Sequence, residues 1–95
     1  MANNTIADLR KEFDEIDHKI LTLIAKRMEL SKSIAPLKKN SGVGVVQPEI
    51  WHQQMRQRKK ESGTLDVNEA FVVKLFSLIH DESVRVQNEV LEHTT

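Results

Sequence analysis

Hydrophobic residues in the first part of the chain recur at alternating steps of three and four positions. This spacing aligns them along one side of an α-helix, as in the heptad seam of a helical bundle. The seam consists of Ile6, Leu9, Phe13, Ile16, Ile20, Leu23, Arg27, Leu30, Ile34 and Leu37. The pattern predicts one long helix over about residues 5–38, with Asn4 or Thr5 as its N-cap and Asp8 completing a weak capping box.

A second stripe of the same predicted helix lies beside the seam and widens its apolar face. The stripe runs through Leu21, Ile24, Met28, Ser31 and Ala35, with Arg10, Asp14 and Asp17 at one end and Lys38 at the other. Such a face is wider than a two-stranded contact needs. Pro36 interrupts the pattern, and because proline lacks a backbone N–H we expect it to kink or fray the last turn.

A second, shorter helix is expected after a glycine-containing loop at residues 40–47. Pro48 suits the first position of a helix, because its missing N–H would have no partner there. The apolar edge of this helix is thin, and we expect the helix to run to about Ser62. We expect Gly63 to end it in a left-handed conformation.

A third helix is indicated by Asp66 and Glu69, which have the spacing of a capping box. Its apolar stripe extends to Val90, and we expect the helix to end near Glu92. No segment has the alternating pattern of a strand. The sequence therefore predicts a single all-α domain over residues 1–95, with three helices (long, short, long) and a core from about 6 to 91.

The length of the first helix predicts an oligomer. At 1.5 Å per residue the helix would be about 50 Å long, whereas a compact chain of this size has a diameter of about 30 Å. The helix must overshoot its own monomer, and a second copy is the simplest cover for its apolar face. We expect an intertwined helical homodimer. A helical hairpin dimer without an active site is the alternative.

Composition excludes several classes of function. Fourteen Lys and Arg balance fourteen Asp and Glu, so there is no basic field for nucleic acid. The absence of cysteine excludes disulfides, thiolate metal sites and cysteine nucleophiles. No apolar run approaches a membrane span and the first residues do not resemble a signal peptide, so we expect a cytoplasmic protein without membrane contact.

The four histidines do not have the spacing of a metal site, so we expect no metal. Serine hydrolase, P-loop and Rossmann signatures are also absent. His80 is followed by Asp81 and Glu82. This short polar run is expected to lie on a solvated face of the third helix.

Several polar residues fall on predicted apolar faces. Arg27 occupies a seam position, and Arg10 and Lys38 lie at the two ends of the second stripe. Ser83 interrupts the apolar stripe of the third helix, and Gln87 projects beside it four residues later. Cations turned toward an interior need compensating negative charge.

The sequence leaves two possible sources of that negative charge. A third possibility is that a seam arginine needs none, because it extends its charged end into solvent. Asp14 and Asp17 could supply the charge within the protein. Alternatively, a small polyanion could supply it as a ligand, since guanidinium groups match carboxylates in geometry.

The chain resembles the all-helical (AroQ-type) chorismate mutases over roughly residues 6–91. The resemblance rests on LRKEFDEIDHKILTLIAKRMELSKSI, on a short loop with a Pro-started helix, and on LFSLIHDESVRVQ. It implies a dimer of three-helix chains whose long first helices embrace, with two active sites. It also implies the conversion of chorismate, a dianion, to prephenate in phenylalanine and tyrosine biosynthesis, without a cofactor.

The resemblance also implies roles for individual residues. Arg10 would be donated to the site by the partner chain, and Arg27 would bind a substrate carboxylate in its own chain. Lys38 would reach a carboxylate and the ether oxygen of the enolpyruvyl bridge. Ser83 would contact a carboxylate, and Gln87 would hydrogen-bond the same ether oxygen.

The start of the second helix departs from the family pattern. Gln47, Ile50 and Trp51 stand where the family usually carries an acidic residue, an arginine and a glutamate. Gln47 is taken as a substrate-binding position, whereas Ile50 and Trp51 could pack as core. In the family the acidic residues face the substrate's ring hydroxyl, so this end of the site is altered.

Three alternatives to the mutase therefore stay open. An isochorismate-pyruvate lyase and a 4-amino-4-deoxychorismate mutase would both use the same cations on the same scaffold. A non-catalytic helical dimer that regulates a partner enzyme is the third. The family resemblance also leaves room for a mutase that docks to another enzyme of its pathway.

Overall fold

The computed structural model describes residues 5–93, which form three α-helices. Helix α1 spans Ile6–Asn40, α2 spans Pro48–Thr64 and α3 spans Glu69–His93. The predicted all-α class and the long, short, long order of helices are confirmed. Within this described part of the chain, no helix is both long and apolar enough to cross a membrane.

The start of α1 is fixed by the predicted capping box. The Thr5 side-chain oxygen accepts a hydrogen bond from the Asp8 amide at 3.1 Å. The Asp8 carboxylate in turn accepts one from the Thr5 amide at 3.2 Å. Two backbone donors at the helix start are thereby satisfied. Asn4, the other predicted cap, lies outside the described residues.

The end of α1 is more regular than the sequence predicts. The helix continues through Pro36 to Asn40, so the expected fraying of the last turn is wrong. The loop that follows folds back onto this turn, because the Val43 amide donates to the Lys38 carbonyl at 3.0 Å. Such bonds satisfy carbonyls that a helix end otherwise leaves without partners.

The end of α2 differs from the prediction at Gly63. This glycine is helical, and α2 continues to Thr64. The left-handed residue of the turn is Asp66, with φ +56°. Aspartate tolerates this conformation better than most residues because its short polar side chain bonds locally. The Val67 amide donates to the Ser62 carbonyl at 2.8 Å and closes the turn.

The start of α3 also differs from the prediction. Its capping side chain is Asn68, whose Oδ1 accepts a hydrogen bond from the Phe71 amide at 2.8 Å. Asp66, the predicted cap, lies two residues too early because it forms the left-handed turn instead. The predicted end of α3 at Glu92 is within one residue of the observed end.

Helix α3 packs against both other helices, whereas α1 and α2 do not pack on each other within residues 5–93. Ser31 contacts Ser83 and Lys38 contacts Gln87. Because both residue numbers increase together, α1 and α3 run in the same direction.

Helix α2 runs in the opposite direction to α3. The ring of Trp51 lies against that of His80, and Arg58 lies over the ring of Phe76. From the first contact to the second, the residue number rises along α2 and falls along α3. The beginning of α2 is therefore level with the second half of α3, where Ser83 lies.

The single chain is elongated and buries few residues. It measures 57 × 28 × 18 Å with a radius of gyration of 17.3 Å, whereas a compact chain of this length would have about 12 Å. Among residues 5–93 the buried ones are Ser31, Ala35, Ser62, Val72, Ser83, Val86 and Gln87. Much of the seam stays exposed, including Phe13 at 66% and Leu30 at 65%. The predicted overshoot of α1 is confirmed.

Replacement of Gly63 by alanine should stabilise the fold. Gly63 is helical and no atom lies within 4 Å of the position that a Cβ would take. We expect Gly63→Ala to raise the free energy of unfolding by about 0.5–1 kcal/mol. The measurement is urea unfolding at a fixed chain concentration, because association would shift the midpoint.

Gly42→Ala is the matched control, since Gly42 has φ +72° and an equally open environment. It should lower the free energy of unfolding by about 1 kcal/mol. A destabilised Gly63→Ala protein would contradict the helical conformation of Gly63.

Candidate active site

A chain of buried and half-buried polar side chains joins α1 to α3 in the second half of both helices. The Oγ atoms of Ser31 and Ser83 lie 2.6 Å apart. The Gln87 Nε2 donates to the Ser83 Oγ at 3.1 Å, and the Lys38 Nζ donates to the Gln87 Oε1 at 2.9 Å. We call these four residues the polar cluster. Three of them, Lys38, Ser83 and Gln87, are site residues predicted from the sequence.

Helical spacing explains why these side chains meet. Ser31 and Lys38 lie about two turns apart on one face of α1, and Ser83 and Gln87 lie about one turn apart on α3. A buried polar side chain without a partner would destabilise the fold. Within residues 5–93, no buried side-chain nitrogen or oxygen lacks a hydrogen bond.

The Lys38 ammonium is held by neutral groups only. Besides Gln87, it donates to the Val45 carbonyl at 2.7 Å, so the loop after α1 folds over it. No carboxylate lies within ion-pair distance of this ammonium in the described chain. Burial therefore lowers the pKa of Lys38 below its ordinary value. An ammonium has three N–H donors, and one remains for a ligand.

Arg27 lies about one turn before the polar cluster on α1. Its carbonyl accepts a hydrogen bond from the Ser31 Oγ at 3.1 Å, and its side chain is half-buried. It borders an apolar groove of about 230 Å³. The other groove residues are Ile20, Leu23, Ile24, Leu75, Phe76 and Ile79.

The predicted internal partners of these cations do not reach them. Within residues 5–93, neither Asp14 nor Asp17 forms an ion pair with Arg27 or Lys38. Both aspartates are exposed. Compensation of the two cations within one chain, one of the two sources considered from the sequence, is therefore absent from this structure.

Gln47, a predicted site residue, lies at the start of α2. Gln47 is the half-buried N-cap residue of α2, and its side chain makes no capping hydrogen bond. It borders a shallow depression with Pro48, Glu49 and Ile50. No hydrogen bond joins Gln47 to the polar cluster. Ile50 stays 45% exposed and is not core, whereas Trp51 is half-buried against α3.

Arg10 is not brought to the polar cluster of its own chain. It is exposed in the first part of α1, and the helix separates it from Lys38 by about 42 Å. No side chain bridges such a distance. Any contact between Arg10 and a site of this kind requires another chain.

Two members of the site were not predicted from the sequence. Ser31 interrupts the second stripe of α1 in the same way that Ser83 interrupts the stripe of α3, and this was the available signal. The contact of the Val45 carbonyl with Lys38 could not be predicted, because every residue type carries the same backbone oxygen.

The prediction of a solvated position for His80 is wrong. This residue is half-buried against Trp51 and not on a solvated face.

The arrangement suits a ligand with several negative oxygens. Lys38, Arg27 and Gln87 offer N–H donors, and no nucleophile paired with a general base is present among them. The described residues also contain no group of three or more His, Asp or Glu side chains able to hold a metal ion. Preorganised donors of this kind stabilise negative charge that develops on an oxygen.

The fold and the polar cluster define a class of small all-helical proteins with hydrogen-bonded polar side chains buried between two long helices. Residues 9–88 match the family described as chorismate mutase type II. The chain is 35% identical over 92 residues to the chorismate mutase of Methanocaldococcus jannaschii, with 94% of this chain and 90% of that protein covered. The chain therefore belongs to the chorismate mutase type II family. Its activity is that of a chorismate mutase, an isomerase of aromatic amino acid biosynthesis.

Two further relatives differ in their named activity or size. The 4-amino-4-deoxychorismate mutase of Streptomyces venezuelae is 28% identical over 88 residues, with 93% of this chain and 85% of that protein covered. The bifunctional chorismate mutase/prephenate dehydratase of Buchnera aphidicola is 29% identical over 91 residues. That match covers 96% of this chain but only 24% of the bifunctional protein.

The lowered pKa of Lys38 predicts a loss of activity at alkaline pH. The kcat/KM reports on the free enzyme, in which burial shifts the pKa below the ordinary value of 10.5. We expect kcat/KM to fall as the pH rises through this lowered pKa, because the ammonium loses its charge. Lys38→Arg should remove this alkaline fall, whatever its absolute rate, because a guanidinium stays charged.

The free energy of unfolding should rise over the pH window in which kcat/KM falls. The unfolded chain binds more protons between the lowered pKa and 10.5, so the contribution of Lys38 to the free energy of unfolding rises with pH there. For the activity measurement, Lys39→Arg at the exposed neighbouring position is the control, and it should keep the fall of kcat/KM at alkaline pH. If Lys38→Arg also keeps this fall, the fall comes from another group.

Proposed function

We propose that the polar cluster, with Arg27 of the same chain and Arg10 of a second copy, is the site that rearranges chorismate to prephenate. The observation that carries this proposal is the Lys38 ammonium, which is half-buried and bonded only to neutral groups. A cation in this state favours an anionic ligand, since the ligand would supply the missing negative charge.

The reaction needs little chemistry from the protein. It is an intramolecular rearrangement in which a C–O bond breaks as a C–C bond forms, so no nucleophile or proton transfer is involved. The protein must hold the dianion in its compact reactive conformer. Arg27 and Lys38 lie on one face of α1, about three turns or 16 Å apart. Their long side chains would grip the two carboxylates from opposite ends.

The breaking C–O bond places negative charge on the ether oxygen. Within the cluster Lys38 uses two of its three N–H donors, and Gln87 uses one of its two. The remaining Gln87 donor is left for the ether oxygen, and the remaining Lys38 donor would be shared between this oxygen and a substrate carboxylate. Since both side chains are already held in place, they would stabilise the charge with little reorganisation.

Ser83 would act through Gln87 as well as on the substrate. Its Oγ accepts a hydrogen bond from the Gln87 amide and lies against the Ser31 Oγ. It therefore fixes the orientation of the amide that faces the ether oxygen. A direct contact with a substrate carboxylate would require the Ser83 hydroxyl to turn away from Ser31.

A second copy would complete the site. The exposed apolar seam of α1 is long enough to pack against the same seam of a partner, in a self-complementary contact. A two-fold axis crossing α1 near His18 would place Arg10 of each chain level with Arg27 of the other. The intertwined homodimer thus explains both the exposed seam and the distance of Arg10 from its own cluster.

A 4-amino-4-deoxychorismate mutase is the second candidate, because a relative of that name covers 93% of the chain. Both substrates carry the same two carboxylates, so Lys38 and Arg27 would bind either. The residues that could separate them lie at Gln47 and Trp51. Docking to another enzyme of the pathway stays a prediction.

The test is to incubate the purified protein with chorismate, isochorismate and 4-amino-4-deoxychorismate and to identify the products by NMR. We expect prephenate from chorismate. Arg27→Ala should lower kcat/KM by about 10²–10³-fold and remain folded, since the lost group acts on the ligand. Lys26→Ala, at an exposed neighbouring position, should have the activity of the original protein. Salicylate and pyruvate from isochorismate alone, or no turnover, would contradict the proposal.

Mixed dimers test whether the site is shared between chains. Arg10→Ala and Arg27→Ala chains with different tags would be unfolded together and refolded. Each heterodimer would contain one intact site, so the random mixture should recover about a quarter of the original activity. Neither variant should recover when it is refolded alone. Absence of recovery in heterodimers isolated by both tags would contradict a shared site.

A further inference from the structure

The rings of Trp51 on α2 and His80 on α3 form an aromatic contact beside the proposed site. Their centroids are 4.1 Å apart and their planes are inclined by 31°. The His80 side chain keeps 23% of its surface exposed, so a ligand can still reach it. We call this pair the Trp51–His80 stack.

The stack is adjacent to proposed substrate-binding residues on both helices. His80 precedes Ser83 by three residues, and Trp51 follows Gln47 by four, so each pair shares a helix face. Because α2 and α3 run in opposite directions, the stack lies about one turn from Ser83 and from the start of α2. It therefore lies on the side of Ser83 that faces away from Lys38 and would border the proposed site there.

His80 has hydrogen-bonding capacity that the fold does not use. Its Nδ1 lies 3.9 Å from the exposed Asp81 carboxylate, which is beyond hydrogen-bond distance. Its Nε2 has no hydrogen-bond partner within residues 5–93. Trp51 offers only a donor, and Ile50 offers neither donor nor acceptor. The imidazole is thus an acceptor that this side of the site presents, in addition to the side-chain oxygen of Gln47.

We propose that His80, held in place by Trp51, accepts a hydrogen bond from the ring hydroxyl of the substrate and sets the preference for that hydroxyl. This inference rests on the proposed function. Arg27 and Lys38 carry donors only, and these meet the carboxylates and the ether oxygen. The ring hydroxyl is itself a donor and needs an acceptor, which a neutral imidazole nitrogen supplies.

The experiment compares kcat/KM for chorismate with kcat/KM for an analogue that lacks the ring hydroxyl. His80→Phe keeps a ring against Trp51 but removes both nitrogens. It should lose about 5- to 10-fold with chorismate and less than about 2-fold with the analogue, as expected for one hydrogen bond. His80→Gln, which retains an acceptor, should keep most of the preference for the hydroxyl.

His52→Phe is the matched control, because His52 is exposed on α2 beside Trp51. It should change neither rate. Equal losses of His80→Phe on both substrates, with circular dichroism showing normal helix content, would make His80 a packing residue and overturn the inference. Unchanged rates on both would also overturn it. Failure of the original protein to convert chorismate would instead overturn the proposed function, and the inference with it.

Discussion

The site depends on the hydrogen bond between the Lys38 ammonium and the Gln87 side chain. It is the contact that places a cation between α1 and α3 without a carboxylate beside it. Replacement of this pair by apolar residues would remove the desolvation of a charge, and designs of that kind are often more stable. The protein therefore keeps a polar interior at the expense of stability, which is typical of a site shaped for a charged ligand.

The same trade-off recurs along the molecule. Ser31, Ser83 and Gln87 are buried where leucine or isoleucine would extend the core, and few apolar residues are fully buried. A chain of this size buries only a small hydrophobic core, so each polar residue placed in it lowers stability noticeably. The exposed seam of α1 is apolar surface that a second copy would bury. The homodimer proposed to complete the site would therefore also be the principal source of stability.

Helical periodicity explains which parts of the structure could be predicted from the sequence. Spacing alone assigns Lys38, Ser83 and Gln87 to inward faces, because a helix fixes the direction of each side chain. It wrongly selected Asp66 as the cap of α3 in place of Asn68, since both residue types cap helices and the closure of the turn decides. It could not foresee the contact of Trp51 with His80 either, because register between helices depends on packing across the chain.

The packing of α2 against α3 alone has an evolutionary consequence. Substitutions near the start of α2 would leave the α1–α3 contact, and hence the residues proposed to hold the carboxylates, unaffected. Divergence in ring recognition could therefore accumulate where α2 meets α3, around the Trp51–His80 stack, while the contact between α1 and α3 keeps the residues proposed for the reaction. A lineage of such proteins could exchange one substrate for another by drift at this one helix contact.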